Sequence, residues 1–228
     1  VVIKLGRGIR KSTGLKNLCL AGGVALNCVA NGKLLRENIF DGIWIQPAAG
    51  DAGGAIGAAL AAHHLMLNQA RRCDATDSMR GAYLGPEFNQ TDIERRLTNV
   101  GAVFQTVTYA ELIGLTAQAL VDSKAVGWHQ GRMEFGPRAL GGRSILADPR
   151  SPIVQKQLNL KVKYRESFRP FAPSVLREDL TDWFQADVDS PYMLLVADVA
   201  KDKQLEMTEE QKRLFGIDKL NVPRSQIP

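Results

Sequence analysis

The segment Gly131-Arg132-Met133-Glu134-Phe135-Gly136-Pro137-Arg138-Ala139-Leu140-Gly141-Gly142-Arg143-Ser144-Ile145-Leu146 concentrates the chemistry of this chain, setting three arginines among four glycines and a proline directly after the apolar run Ala125-Val126-Gly127-Trp128. A guanidinium is a permanent cation with a planar fork of donors that matches phosphate or carboxylate, and glycine lets an anion approach the backbone. The loop therefore reads as an oxyanion site. Pairing with surface carboxylates is the plainer alternative, but one acid, Glu134, stands among the three arginines. A second basic stretch, Asn159-Leu160-Lys161-Val162-Lys163-Tyr164-Arg165-Glu166-Ser167-Phe168-Arg169-Pro170-Phe171-Ala172-Pro173-Ser174, adds Lys163, Arg165 and Arg169. Ser144 and Asn159 offer neutral hydrogen bonds, either to a ligand or to local structure.

Two glycine loops precede these segments. Gly22-Gly23-Val24-Ala25-Leu26-Asn27 joins an apolar run to a helical pattern, where exposed amides can meet phosphate. Pro47-Ala48-Ala49-Gly50-Asp51-Ala52-Gly53-Gly54 repeats the arrangement, with Asp51 as its one carboxylate. Asp51 is read either as a helix cap or as a ligand. His63 and His64 are adjacent on a helix, point about a third of a turn apart, and read as surface or interface side chains rather than joint metal ligands.

The elements that must carry these loops alternate. Residues 17–21 read as a strand, 24–38 as a helix, 42–45 as a strand and 55–67 as a small-residue helix, one βαβα unit. Residues 68–80 are polar and poorly periodic, a linker between a domain over 1–67 and a domain over 81–228. In the second domain Thr91 caps a helix through Leu97, and 102–108 reads as a strand. An amphipathic helix over 109–122 and a buried strand over 125–129 that includes Trp128 come next. Strand 144–147, helix 153–161 and the strand-like 192–196 complete an α/β domain with a mixed twisted sheet. Phe135, Phe168 and Phe171 read as core.

Nearly half of the chain is apolar, as in an ordinary globular protein, and no apolar run is long enough to span a bilayer. With no leader at its start it reads as cytoplasmic. Cys19, Cys28 and Cys73 have no paired spacing and read as small apolar fillers, neither a disulfide framework nor a zinc site. The net charge of +5 is modest and clustered between Arg132 and Arg169, which favours a local anion site over a broad nucleic-acid surface.

The arginine loop and the 159–174 segment together resemble the carboxy-terminal domain of the O-carbamoyltransferases of the nodulation-protein-U type, and the two glycine loops resemble the closing part of the actin-like (ASKHA) domain that precedes it. The resemblance implies a YrdC-like α/β domain in which carbamoyl phosphate and ATP form carbamoyl adenylate. The actin-like domain then passes the carbamoyl group to a hydroxyl of a small-molecule acceptor. It implies catalytic roles for Arg132 and Lys163. Arg132, Arg138, Arg143, Ser144, Asn159, Lys163, Arg165 and Arg169 would bind carbamoyl phosphate and ATP. Gly22, Gly23, Asn27, Gly50 and Gly53 would bind nucleotide in the actin-like domain. Asp51 matches the aspartate that holds a divalent metal, with iron expected, together with two histidines from a motif that has no counterpart here. The chain accordingly reads as truncated at both ends, with residues 222–228 opening a further family segment. Full transfer and metal retention are not expected of it, and a homodimer is compatible with the resemblance. Gly142 departs from the family pattern, which usually has Asn there. YrdC-like domains also include RNA-associated members that serve threonylcarbamoyl modification of transfer RNA, which keeps a nucleic-acid alternative open.

Overall fold

The computed structural model describes residues 1–73 and 76–226. Asp74 and Ala75 of the expected linker, and Ile227 and Pro228 of the expected closing segment, lie outside the described residues. Among the described residues, no helix is long and apolar enough to cross a membrane.

The chain forms two compact units that do not follow chain order. The first comprises residues 1–89, 129–143 and 190–196, and the second 90–128, 144–189 and 197–228. The first opens with helix α1 (Val2–Thr13), which ends at Gly14 in the left-handed conformation, φ 69°. Strand β1 (Asn17–Leu20), helix α2 (Cys28–Arg36), strand β2 (Gly42–Ile45) and helix α3 (Asp51–Ala61) follow. β1 and β2 pair in parallel, Asn17 opposite Gly42 through Leu20 opposite Ile45. Parallel strands need a crossover, and α2 provides it. The βαβα pattern is thus present, with two differences in its boundaries. The helix expected from residue 24 is split into a 3₁₀ turn, Gly23–Leu26, and α2, because the Asn27 side chain caps α2 by accepting the Ala30 N–H at 3.0 Å. α3 begins four residues before the expected start.

The core of this unit joins Ala25, Ile45, Ala49, Met79, Ala82, Tyr192 and Leu194, with Leu26 and Leu140 packed against it. Met79, from the polar stretch 68–80, is therefore a core residue. Residues 192–196 form no strand. They lie against α2 instead, where the Asn31 amide donates to the carbonyls of Ala25 and Leu194 at 2.8 and 3.0 Å. At Gly32 an added Cβ would sit 2.3 Å from the Val196 carbonyl oxygen, so the backbones meet only because that side chain is missing.

The second unit holds helix α4 (Gln90–Asn99) and helix α5 (Tyr109–Val121), the latter opened by a reciprocal capping box between Thr108 and Glu111. Residues 102–108, expected as a strand, form none, and Val103 is fully exposed. Strands β3 (Val126–His129) and β4 (Arg143–Leu146) make a two-stranded sheet. The expected larger mixed sheet is not formed: the described strands make two sheets of two strands each. Helix α6 (Val154–Gln157) continues into a wider turn, Leu158–Val162, and buries Val154, Leu158 and Asn159. Trp128, Phe135, Phe168 and Phe171 are half-buried rather than core, and Cys19 and Cys73 are exposed rather than buried fillers.

Candidate functional site

Between β3 and β4 the chain enters the first unit as the arginine loop. Gly136 (φ 123°) and Gly141 (φ 108°) adopt backbone conformations that L side chains resist, which bends the segment into a compact turn. At Gly136 an added Cβ would lie 3.3 Å from the Pro47 carbonyl oxygen and 3.4 Å from Ala48. Arg138 donates from Nη2 to the Leu26 carbonyl at 3.0 Å. The arginine loop thus packs on both glycine loops at once. The sequence reading assigned these loops to different domains and had no means of pairing them.

The three arginines differ. Glu134 is 5% exposed, and its Oε1 accepts the backbone N–H groups of Leu140, Gly142 and Arg143 at 2.7, 2.7 and 3.3 Å. Its Oε2 pairs with Arg143 Nε at 2.9 Å, and Arg143 Nη2 reaches the Glu134 carbonyl at 3.0 Å. Burial alone would raise this carboxyl, but the hydrogen bonds from Leu140, Arg143 and Gly142 together outweigh it and lower the pKa from 4.5 to about 2. Arg143 is therefore paired within the loop, the plainer of the two alternatives open to it, although the resemblance implies that it binds phosphate. Arg132 is more available: Nη1 donates to the Gly85 carbonyl at 3.0 Å, and Nε lies 3.5 Å from the Glu87 carboxylate, both side chains about half exposed. A cavity of about 390 Å³ lined by Glu87, Phe88, Asn89 and Arg132 opens beside it. Arg138 has no acidic partner, and its Nε is buried without an acceptor among the described residues.

The other expected residues are placed as follows. Gly22 has φ 93° and, like Gly23, open space where a side chain would point. Gly50 caps α3, so Asp51 occupies the first helical position instead of the cap and its side chain is exposed. A Cβ on Gly53 would lie 2.0 Å from the Ala48 carbonyl oxygen, so packing already requires glycine there. Among the described residues no group of three His, Cys, Asp or Glu side chains could hold a metal ion. The residues around Asp51 do not by themselves fit a divalent cation. His63 is exposed, and the half-buried His64 has Nδ1 2.8 Å from the Gln69 carbonyl.

In the second unit Ser144 lies half-buried on β4. Asn159 is fully buried, its amide donating to the carbonyls of Ser167 and Arg169 at 3.1 and 2.8 Å while its Oδ1 accepts from Arg165 Nε at 2.6 Å. It shapes the 163–169 loop and has no surface to offer a ligand, a correction to its expected contact with phosphate. Arg165 stacks over the Phe171 ring, 4.9 Å from guanidinium carbon to centroid, which leaves its terminal nitrogens directed by that plane. Arg169 pairs with Glu166 at 3.0 Å, and Lys163 is exposed. The structure brings Arg138 against the first glycine loop and keeps Arg132 in the same unit, beside Gly85 and Glu87, and it places Ser144, Lys163, Arg165 and Arg169 in the other unit. Glu134 and Glu87 were not among the expected site residues. The lone acid inside an arginine-glycine loop was the signal for the first; nothing in the local sequence marks the second.

Comparison with known proteins places these segments. The family model of the carbamoyltransferase N-terminus matches residues 1–60, and that of the carbamoyltransferase C-terminus matches residues 117–216. An uncharacterized protein of Synechocystis, sll1178, is 59% identical over 230 residues, covering 100% of this chain and 37% of its own length. Nodulation protein NolNO of Sinorhizobium fredii is 42% identical over 90% of this chain and 30% of its own, and nodulation protein U of Rhizobium tropici is 39% identical over 79% and 29%. The chain thus spans about a third of the length of these curated relatives. The arginine loop lies inside the C-terminal match, while the residues on which it packs, Leu26, Pro47 and Ala48, lie inside the N-terminal one. With both halves of one family pattern present in order, the chain belongs to the carbamoyltransferase family.

Proposed function

We propose that the chain provides carbamoyl-activating and part of the carbamoyl-transferring machinery of an O-carbamoyltransferase, with residues 1–67 as the closing part of an actin-like domain and 81–228 as a YrdC-like domain. Water cleaves carbamoyl phosphate to phosphate and carbamate, and the carbamate oxygen attacks the α-phosphorus of ATP. Carbamoyl adenylate and pyrophosphate result, and an acceptor hydroxyl then takes the carbamoyl group and releases AMP. Two polyanionic substrates repel each other, and fixed cations are needed to hold them together and to stabilise the charge that develops on the leaving phosphate. Arg132 and Arg138 are the proposed cations of the arginine loop, and Lys163, Arg165 and Arg169, with Ser144, those of the second unit. The acceptor is a hydroxyl-bearing small molecule.

The observation that carries this reading is the division of labour inside the arginine loop. Glu134 pairs with Arg143 and leaves Arg138, without an acid partner among the described residues, on a loop packed against the two glycine loops. A loop that served only surface ion pairing would match each cation with an acid. Isothermal titration of the chain with carbamoyl phosphate and with ATP tests the proposal. Arg132→Ala and Arg138→Ala should each weaken binding by about 1.5 to 3 kcal/mol, the range for charge-assisted hydrogen bonds. Unchanged affinity in both folded variants removes the loop from the site. Binding to RNA that falls steeply with salt and ignores carbamoyl phosphate would instead favour a nucleic-acid surface.

A further inference from the structure

The Glu134 carboxylate has an unusual place for an acid in an anion site. It stands beside the cations that would bind phosphate, yet its side chain is wholly buried and every contact it makes points into the loop that bears them. Leu140 lies six positions beyond it, and Arg138 sits on the arc that this hydrogen bond closes. The opposite face of the clamp is equally tight. An added Cβ on Gly142 would lie 2.7 Å from the Arg132 carbonyl oxygen and 3.1 Å from the Glu134 carboxyl, so the backbone of Arg132, the carboxylate and Gly142 are packed in contact. Gln130 N–H donates to the Gly142 carbonyl at 3.1 Å and ties the start of the loop to its end.

We infer that Glu134 is the positioning residue of the arginine loop, its carboxylate holding backbone 140–143 so that Arg132 and Arg138 are presented to the anion while Arg143 is retained as its internal partner. The inference rests on the carbamoyl phosphate reading given above. It runs against simple electrostatics. Removing one negative charge from beside three cations and releasing Arg143 should strengthen attraction for an anion if charge alone decided affinity. A positioning role requires the reverse, because a preorganised site loses affinity when its donors are free to wander.

Glu134→Gln removes the charge and exchanges one acceptor oxygen for a donor. Gly142→Ala keeps the charge but drives a methyl group against the Arg132 carbonyl and the Glu134 carboxyl, so it disturbs the clamp by a different route and remains informative should Glu134→Gln fail to fold. Both are titrated with carbamoyl phosphate beside the unaltered chain, well below the unfolding transition, with ¹⁵N spectra following the Nε–H signals of Arg132 and Arg138. Weakening of binding on the order of tenfold to a hundredfold in each folded variant is expected. The titration shifts of the two arginine signals should be lost, while amide dispersion elsewhere is kept. Loss of overall stability alone would leave these shifts in place. Unchanged or tighter binding in folded Glu134→Gln overturns the inference and leaves the carbamoyl phosphate reading standing. If Glu134→Gln does not fold, unchanged or tighter binding in folded Gly142→Ala has the same meaning. No binding by the unaltered chain overturns that reading, and the positioning role of Glu134 with it.

Discussion

Replacing Glu134 by glutamine should change how stability depends on pH in a way that can be worked out from its surroundings. The carboxyl has its pKa lowered from 4.5 to about 2 in the folded chain. A depressed carboxyl contributes stability that is fully present above its unfolded pKa and disappears as the pH falls through the folded one. Each tenfold change in proton affinity is worth about 1.4 kcal/mol, so the contribution at pH 7 is on the order of 3 kcal/mol. At pH 3 the unfolded carboxyl would be almost wholly protonated and the folded one mostly ionised, and about 2 kcal/mol of that contribution would be gone. Glutamine does not titrate. Urea unfolding of both proteins at pH 7 and at pH 3 should show the unaltered chain the more stable at pH 7, with its advantage narrowed by about 2 kcal/mol at pH 3. Taking the difference between the two proteins cancels the other carboxylates, which titrate in both. An advantage that stays constant between the two pH values would mean that Glu134 is not held ionised by its donors, and the account of the clamp would fail.

At Gly32 the substitution to alanine should destabilise the first unit by about 1 to 3 kcal/mol or more, since the new Cβ would meet the Val196 carbonyl at 2.3 Å. A drop in the thermal midpoint relative to Gly54→Ala, where nothing lies within 4 Å of the added carbon, checks it. Asn159→Ala should remove about 2 to 3 kcal/mol, because the Ser167 and Arg169 carbonyls and Arg165 Nε lose a buried partner together. Faster amide exchange in 163–169 would accompany it if this residue shapes the loop.

The sequence by itself determined the local elements whose signals are local. The parallel βαβα unit is legible because apolar runs, glycine turns and helical spacing sit within a few residues of one another. The Thr108 capping box is written in a four-residue spacing. The arginine loop stood out as a concentration of cations, since guanidinium and glycine are recognisable by type wherever they lie. What the sequence could not weigh was neutralisation. Three arginines and one glutamate read as a surplus of cations, and only the folded loop shows that the glutamate is consumed by Arg143 and by three backbone donors. Asn159 was left open for the same reason: an amide side chain can face a ligand or its own backbone, and burial decides which.

Tertiary structure alone decided which distant segments meet. Residues 192–196 look like a strand because they are apolar, yet their backbone lies against α2, where Gly32 has no side chain and Asn31 supplies the hydrogen bond. The arginine loop leaves the strands that flank it and packs on loops far earlier in the chain, with Arg138 donating to Leu26 across a separation of 112 positions. Pairings of that kind depend on close backbone approach, which a glycine on one side permits at Gly32 against Val196 and at Gly136 against Pro47 and Ala48. Residue type and periodicity encode which face an element will bury, and the shape of the folded neighbour settles what it will be buried against.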